Sequence, residues 1–454
     1  MSKSFQTINP YDNKVIKEYV FHSSTEIETI LKSSAECFQK WRKSSISVRT
    51  ELLNNVAELL EANKKLYAET ITLEMGKPIS QSISEIEKCV TLCDFYATNA
   101  DNFLSDELIE TDADESFISY DPLGCILGIM PWNYPFWQVM RFAIPTLTAG
   151  NTAILKHASN VTGCSVLIEE LFEKAGFPKG CFQVVLANHE QIEKIITHDA
   201  VKAVSLTGSE KAGRSIAAIA GKNLKKCVLE LGGNNACIVL DDADLDSYFE
   251  VMFNARMQNT GQSCIAAKRF IVTKGIYEKF MKRFKLKIKA LKFGDPMETD
   301  TTISTLARID LADILKKQVD ESIEKGADLT YGNTRKNAYF EPTILENVKA
   351  GMPVFDEETF GPVAAITKAK DTQEAFELAQ DSKFGLGTMI FTQDFEKIQG
   401  FIDDIQDGAF FVNELVKSDA RLPFGGTKDS GYGRELSKEG IHEFVNKKTI
   451  FIKK

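Results

Sequence analysis

The sequence lacks the features that mark several specialised classes of protein. It has no run of about 18 apolar residues, and its first residues, MSKSFQTINPYDNK, contain no apolar leader segment. None of the nine cysteines belongs to a CxxC pair, so neither a disulfide framework nor a zinc site is expected. The 54 basic residues are outnumbered by 64 acidic ones, and no basic patch dominates. We therefore expect a cytoplasmic protein that binds no metal, nucleic acid or membrane.

The hydrophobic pattern of the 454 residues predicts an α/β protein with more than one core. Apolar residues recur at three- and four-residue spacing through residues 25–103, which predicts helices. Strand-like and helix-like runs alternate between residues 150 and 240, and again after Asp244, a pattern typical of parallel sheets wrapped by helices. Ligands of such sheets bind beyond the carboxyl ends of the strands. Three candidate site residues are expected at those ends: Lys156, Gly208 and Glu230.

The segment NTGQSCIAAKR places Cys264 in a loop of small and polar residues. A thiol that is buried for packing usually has apolar neighbours, whereas a thiol that attacks a substrate needs space and donors that favour the thiolate. Cys264 is therefore the candidate nucleophile, and a low thiol pKa is expected.

Two upstream segments contain groups that could assist this thiol. In CVLELGGNNA, Glu230 ends an apolar strand and precedes two glycines that let other backbone approach, which suits a general base. In GIMPWNYPFWQVMR, aromatic residues and prolines enclose Asn133, whose amide could stabilise an oxyanion together with the Cys264 N–H. The domain join is predicted near residues 231–235, so Glu230 and Cys264 are expected to flank an interdomain cleft.

These segments, with EETFGPV at 357–363 and LPFGGTKDSGYGRE at 422–435, resemble the aldehyde dehydrogenase superfamily, and the resemblance spans nearly the whole chain. It implies two Rossmann-like α/β domains, a small β oligomerisation element, and a homodimer or homotetramer. The implied reaction oxidises an aldehyde to an acid through thiolate attack, hydride transfer to a nicotinamide cofactor and thioester hydrolysis. The expected division is a cofactor-binding domain at 1–115 and 131–231, a catalytic domain at 232–435, and oligomerisation strands at 116–130 and 436–454.

The sequence has no GxGxxG motif, so the cofactor site is predicted from other residues. In SLTGSEKAG, Gly208 and Ser209 end a strand, and the N-terminus of the next helix, which contains Gly213, can hold a pyrophosphate. The resemblance assigns Lys156 to the adenosine ribose and places Ser159 where strictly NAD-dependent relatives commonly carry a glutamate. A serine there can accommodate a 2′-phosphate, which favours NADP over NAD. The alternative is a structural role, in which Lys156 ends a strand and Ser159 caps a helix. The resemblance adds four cofactor contacts: Trp132, Leu231, Glu358 and Phe360.

Arg141 bears on the choice of substrate. Its position lines the substrate tunnel in the resembling family and is commonly aromatic in members that act on simple apolar aldehydes. An arginine beside Tyr134 and Trp137 in such a tunnel is costly unless it meets an anion. We therefore expect an aldehyde with a distal carboxylate, as in succinate semialdehyde dehydrogenases, which this sequence resembles. Ser418 matches a serine that helps to hold that carboxylate, whereas Gln258 replaces a second arginine of some relatives.

Several alternatives stay open at this stage. Arg141 could instead form a salt bridge with a buried acid. The substrate could be glutarate semialdehyde or a range of aliphatic aldehydes, and CoA could replace water as acceptor, although the presence of Glu230 argues against CoA. The chain could also be a catalytically silent structural or binding protein of the same fold. Ala266 replaces a cysteine that some relatives carry near the nucleophile, so no adjacent-cysteine redox switch is expected.

Overall fold

The structure is a computed structural model that describes residues 4–454. Its helices are α1 (Ser24–Trp41), α2 (Ile46–Ala62), α3 (Lys64–Met75), α4 (Ile79–Leu104), α5 (Trp137–Thr148), α6 (Thr162–Lys174), α7 (His189–Thr197), α8 (Glu210–Lys222), α9 (Leu245–Met257), α10 (Tyr277–Lys289), α11 (Ile309–Glu324), α12 (Pro353–Asp356), α13 (Thr372–Gln380), α14 (Phe395–Ile402) and α15 (Ser437–His442).

Most strands are short, and they are spread over the whole described chain. They are β1 (Ser4–Ile8), β2 (Val15–Val20), β3 (Glu107–Leu108), β4 (Glu115–Pro122), β5 (Cys125–Met130), β6 (Thr152–His157), β7 (Phe182–Val184), β8 (Val201–Thr207), β9 (Lys226–Glu230), β10 (Ala236–Val239), β11 (Arg269–Thr273), β12 (Asp328–Tyr331), β13 (Arg335–Lys336), β14 (Tyr339–Phe340), β15 (Thr343–Glu346), β16 (Val363–Ala369), β17 (Phe384–Gly385), β18 (Thr388–Phe391), β19 (Phe410–Val412), β20 (Thr427–Lys428), β21 (Gly431–Tyr432) and β22 (Val445–Ile452).

The helices predicted for residues 25–103 are confirmed as α1 to α4. A capping box, in which Ser23 and Glu26 bond each other's backbone N–H groups, begins α1. Helix α2 packs along α4, and the buried faces of both helices belong to the largest apolar core. The sequence pattern did not predict the antiparallel hairpin of β1 and β2, which precedes these helices.

The first large sheet has the order β21-β9-β8-β5-β6-β7. Strands β9, β8, β5, β6 and β7 run parallel, and their nearly continuous burial is typical of a sheet covered on both faces. The predicted alternation of strands and helices between residues 150 and 240 is confirmed. Lys156 is the next-to-last residue of β6, Gly208 directly follows β8, and Glu230 ends β9.

The second large sheet has the order β12-β15-β16-β11-β10-β18-β19. All of its strands except β12 run parallel to their neighbours. Apolar side chains cover both of its faces, so the prediction of a second α/β unit after Asp244 is confirmed. The loop that contains Cys264 lies between α9 and β11.

A three-stranded sheet of order β22-β4-β3 joins the C-terminal strand to residues 115–122. The prediction that all of 116–130 forms oligomerisation strands is wrong for residues 125–130, because β5 lies inside the first parallel sheet. The prediction that residues 232–435 form the catalytic domain is also wrong for Gly431–Tyr432, because β21 pairs with β9 of the first sheet. No helix among residues 4–454 is both long and apolar enough to cross a membrane.

Candidate active site

A strained loop positions the candidate nucleophile. Three consecutive residues before Gln262 adopt left-handed backbone angles, with φ of 54° at Asn259, 53° at Thr260 and 73° at Gly261. This conformation is unfavourable for a β-branched threonine, so the surrounding contacts must enforce it. A Cβ atom at Gly261 would lie 2.2 Å from the carbonyl oxygen of Gly361, which excludes a larger residue there.

Buried polar side chains hold this loop in place. Arg256 donates from Nη2 to the Gly261 carbonyl at 2.6 Å and also contacts the Gly361 carbonyl. Asn259 donates from Nδ2 to the Gln262 carbonyl at 3.1 Å. The loop thereby presents Cys264 at the wall of a cavity of about 300 Å³.

Cys264 differs from the other cysteines in exposure, because it is half-buried whereas the other eight are fully buried. Burial raises the pKa of its thiol, and the positive charges of Lys268 and Arg141 oppose that rise. The low thiol pKa expected from the sequence is therefore wrong. The positive charges of Lys268 and Arg141 favour the thiolate that attack on a substrate requires.

Asn133 lies beside the nucleophile loop and is 3% exposed. Its Nδ2 donates to the Gln262 carbonyl at 3.2 Å, and its own carbonyl accepts from Asn259 Nδ2 at 2.8 Å. An amide nitrogen carries two hydrogens, so one N–H of Asn133 is left for a further acceptor. The geometry therefore allows Asn133 to donate to an oxyanion formed at Cys264.

Glu230 is a buried carboxyl at the end of β9. Within residues 4–454 neither of its carboxyl oxygens has a hydrogen-bond partner. Burial, with repulsion from Glu435, raises the pKa of Glu230 well above its usual range. A Cβ atom at Gly425 would lie 2.7 Å from Glu230 Oε1, so the glycine allows the close approach of this loop. Glu230 also acts electrostatically on the Cys264 thiol, and a carboxyl with a raised pKa is a stronger proton acceptor once ionised.

The predicted substrate residues meet in the Cys264 cavity. Tyr134, Trp137, Arg141 and Ser418 all line it. Trp137 donates from Nε1 to Ser418 Oγ at 3.0 Å, which ties α5 to the loop after β19. Gln258 lines the same cavity, at the position where some relatives carry a second arginine.

The salt bridge that the sequence left open as an alternative for Arg141 is present. Arg141 is 2% exposed, and its guanidinium forms a close ion pair with Glu435 and lies 4.5 Å from the Phe424 ring centroid. The same guanidinium faces the cavity, and its Nη2 atom has no hydrogen-bond partner in the described chain. The ion pair holds Arg141 in place and leaves donors for an anion.

Two candidate cofactor residues lie at the end of β6. Lys156 and Ser159 line a small hollow together with His157. Burial lowers the pKa of Lys156, and no acid within residues 4–454 lies at ion-pair distance from it. Ser159 does not cap a helix, because the N-cap residues are Ala158 for the 3₁₀ turn at Ser159–Val161 and Val161 for α6. An unpaired lysine beside a serine fits a phosphate group.

The predicted pyrophosphate residues lie at the neighbouring strand ends. Ser209 caps α8 by accepting from the Ala212 N–H at 3.3 Å, and Gly208 donates to the Glu230 carbonyl at 3.0 Å. Gly213 packs against the side chain of Leu231. The remaining N–H groups at the start of α8 suit an anion.

The other predicted cofactor contacts lie close to the nucleophile loop. Trp132 and Phe360 meet edge to face with ring centroids 5.6 Å apart. Glu358 accepts from the Gly233 N–H at 3.0 Å and from Lys268 Nζ at 2.8 Å, and Lys268 also donates to the Cys264 carbonyl at 2.7 Å. These residues connect the predicted nicotinamide site to Cys264.

Three charged residues of the site were not predicted from the sequence. Lys268 lies four positions after Cys264 and directly precedes a buried strand. This position in the sequence could have identified it as a site residue. Glu435 lies in a quoted motif but was given no role. Lys88 lines the cavity from α4, and its only sequence signal is a lysine next to the buried positions of an amphipathic helix.

Comparisons with known proteins agree with this geometry. The model of the Aldehyde dehydrogenase family matches residues 1–450. A protein of Synechocystis sp. named probable succinate-semialdehyde dehydrogenase (NADP+) is 46% identical over 449 residues, which cover 98% of this chain and 99% of the relative. A succinate semialdehyde dehydrogenase (NAD(P)+) of Escherichia coli is 44% identical over 448 residues, with 98% and 97% covered.

A solved structure gives the same result for the fold. The crystal structure of succinic semialdehyde dehydrogenase from Streptococcus pyogenes in complex with NADP+ matches with a TM-score of 0.96 and 37% identity. The match covers 99% of this chain and 100% of that chain. Because the family model spans nearly all residues and the relatives match end to end, this chain belongs to the aldehyde dehydrogenase family.

Proposed function

We propose that this enzyme oxidises succinate semialdehyde to succinate with NADP as the preferred cofactor. The observation that carries the proposal is the cavity in which Cys264 shares the wall with Arg141 and Ser418. A nucleophile at one part of a cavity and anion donors at another select an aldehyde that carries a carboxylate at its far end.

The residues divide the reaction into two steps. In the first, the Cys264 thiol releases its proton to solvent and the thiolate bonds to the aldehyde carbon, and the Asn133 amide and Cys264 N–H stabilise the resulting oxyanion. A nicotinamide cofactor, which Glu358 and Phe360 would hold, would supply the hydride acceptor that converts this carbon to the carbonyl of a thioester. In the second, Glu230 takes a proton from water, whose oxygen bonds to the thioester carbon while the C–S bond breaks. The products are the carboxylic acid and the free Cys264 sulfur.

The cofactor preference is supported by Lys156 and Ser159. A lysine without an acidic partner attracts a 2′-phosphate, and a serine in place of a carboxylate does not repel it. The names of the Synechocystis relative and of the Streptococcus pyogenes structure both include NADP+. Glu358 and Phe360 are proposed to hold the nicotinamide end, next to Lys268.

The test compares succinate semialdehyde with butyraldehyde, which has no carboxylate, using NADP and NAD in turn. Arg141→Met should lower kcat/KM for succinate semialdehyde roughly a hundredfold, because a charge-assisted contact is lost, and should leave butyraldehyde nearly unchanged. This single variant leaves Glu435 buried without its partner, which typically costs about 3 to 5 kcal/mol of stability. The double variant Arg141→Met/Glu435→Gln removes both charges and is the matched control. Equal wild-type rates with both aldehydes, unchanged by either variant, would refute the proposed substrate.

A parallel assay with glutarate semialdehyde tests whether Gln258, in place of a second arginine, lets the site accept a longer aldehyde. If Arg141 alone sets the reach of the site, an aldehyde that is one methylene longer should react nearly as well. A clear preference for the four-carbon substrate would support a second anchor of defined position.

We also propose that the enzyme is a cytoplasmic homodimer or homotetramer. All nine cysteines lie in the described chain and are unpaired, as is usual in a reducing compartment. The sheet β22-β4-β3 ends at β22, and this edge strand exposes Phe451, which is 54% accessible. A second copy could cover this edge. A monomeric mass by light scattering at working concentration would contradict the oligomer.

A further inference from the structure

Lys88 is a charged side chain of the substrate cavity to which the proposed reaction has given no role. It lies on α4, is partly buried, and lines the cavity together with Cys264 and Arg141. Its Nζ atom donates to Ser418 Oγ at 2.8 Å and lies 4.1 Å from the Trp137 ring centroid. Its contacts are therefore a hydroxyl and an aromatic face, with no carboxylate within ion-pair distance in the part of the chain described.

The acids nearest to Lys88 are already engaged. On its own helix, Glu85 forms a buried ion pair with Lys77. The free oxygen of Glu85 accepts the backbone N–H groups of Phe136 and Trp137 at 2.8 and 3.0 Å. Glu85 therefore anchors the start of α5 and is not the partner of Lys88.

Asp419, on the loop that follows β19, is engaged as well. Asp419 accepts from Arg421 Nε at 2.8 Å and from Arg421 Nη2 at 2.7 Å. The third acid of the region, Glu435, is paired with Arg141. Lys88 is thus left as a positive charge in a cavity that already contains Arg141.

The surrounding charges affect the ammonium of Lys88 in opposite directions. Burial, with repulsion from Arg141, lowers the pKa of Lys88 to about 8, while Cys89, Glu85 and Asp419 act to raise it. Two cations close together in a partly buried site are unfavourable unless an anion is bound between them. A carboxylate in the cavity would relieve this repulsion.

Ser418 is oriented by the same contacts. Its oxygen accepts one hydrogen bond from Lys88 and one from Trp137. A hydroxyl oxygen has two lone pairs, so both are used and the remaining capacity of Ser418 is the donation of its own proton. Lys88 therefore makes Ser418 a donor, as an anion requires.

We propose that Lys88 is a second cation that binds the distal carboxylate of the substrate, and that it supplies the charge missing at Gln258. In this arrangement Arg141, Ser418 and Lys88 approach the carboxylate from α5, from the loop after β19 and from α4. The proposal rests on the proposed function, since it assigns a specificity-determining residue to the same cavity.

The test uses Lys88→Met, which keeps the length and apolar stem of the side chain but removes the charge, and Lys88→Arg, which retains a charge. For Lys88→Met, KM for succinate semialdehyde and the inhibition constant of succinate should each rise roughly ten- to a hundredfold, as expected for the loss of a hydrogen bond to a charged group. The kcat for both aldehydes and the KM for butyraldehyde should stay within about twofold. Lys88→Arg should recover most of the succinate affinity.

Lys417→Met is the matched control, because Lys417 lines the same cavity but its charge is already paired. Lys417 is half exposed and already paired with Glu414 at 2.8 Å, so its loss should change KM little. If Lys88→Met folds poorly, Lys88→Gln keeps a polar head and gives the same comparison.

The possible outcomes separate the two proposals. A wild-type enzyme that prefers succinate semialdehyde, with Lys88→Met retaining the full preference, would overturn the role of Lys88 alone. An equal loss with succinate semialdehyde and butyraldehyde would also overturn it, because that pattern indicates a structural role. A wild-type enzyme without any preference for the carboxylate substrate would overturn the proposed function and this role together.

Discussion

The replacement Glu230→Gln separates the two chemical steps of the proposed reaction. Glutamine has nearly the same shape, and both carboxyl oxygens of Glu230 lack hydrogen-bond partners in the described chain, so no hydrogen bond is lost. Burial raises the pKa of Glu230, so a neutral amide is tolerated more readily there than in place of an exposed carboxylate. The change in the free energy of unfolding should therefore stay within the cost of burying one unpaired amide, about 1 to 3 kcal/mol.

The kinetic effect should be much larger than the structural one. A positioned general base typically contributes a factor of roughly 10² to 10⁴, so thioester hydrolysis and steady turnover should fall by about that factor. The first step does not need Glu230 in the proposed mechanism. Stopped-flow absorbance of the reduced cofactor should show a burst of about one equivalent per active site, followed by very slow turnover.

The pH dependence gives an independent check. Glu230 accepts a proton only when ionised, so wild-type turnover should increase as pH rises through its raised pKa. Glu230→Gln should remove this increase from the steady rate, while the burst rate keeps the dependence due to Cys264. Equal loss of the burst and of steady turnover would refute the assignment of Glu230 to hydrolysis.

Three further results are expected. Ser159→Glu should lower kcat/KM with NADP by about tenfold or more, because the new carboxylate repels the 2′-phosphate, and it should raise kcat/KM with NAD. Initial rates with both cofactors measure this change. Lys88 must be protonated to bind a carboxylate, and burial lowers its pKa to about 8. KM for succinate semialdehyde should therefore rise above pH 8 by up to about tenfold per pH unit, while KM for butyraldehyde stays constant. A constant KM for both aldehydes would contradict a charged Lys88. Burial raises the pKa of the Glu74 carboxyl from 4.5 to about 7. The stability contributed by the neutral carboxyl is therefore fully present below about pH 4.5 and is lost as pH rises to about 7. Urea unfolding should therefore shift by about 3 kcal/mol in favour of Glu74→Gln between about pH 4.5 and pH 8, and a constant difference would contradict this.

Short-range patterns in the sequence were enough to predict much of the fold. The spacing of apolar residues predicted α1 to α4 and the alternating elements of both parallel sheets, because each pattern repeats within one helix or strand. The same local reasoning placed Lys156, Gly208 and Glu230 at strand ends. Cys264 stood out because its loop residues are small and polar.

Pairing between distant segments could not be predicted in this way. The two-residue strand β21 carries no periodic pattern, yet it pairs with β9 and so keeps residues 431–432 in the first sheet. Strand β5 was assigned to the small sheet because β4 and β5 are adjacent in the chain. In the structure β4 pairs with β22, whereas β5 pairs with β6 and β8.

The sequence by itself determined the family resemblance, the candidate nucleophile and the presence of an arginine suited to a carboxylate. The tertiary structure decided what surrounds those groups. Burial raises the pKa of Cys264 instead of lowering it, Arg141 is paired with Glu435, and Lys88 meets Ser418 across 330 positions of the chain. The charge state and partners of a side chain depend on desolvation and on groups that only folding brings near, and neither is encoded in local spacing.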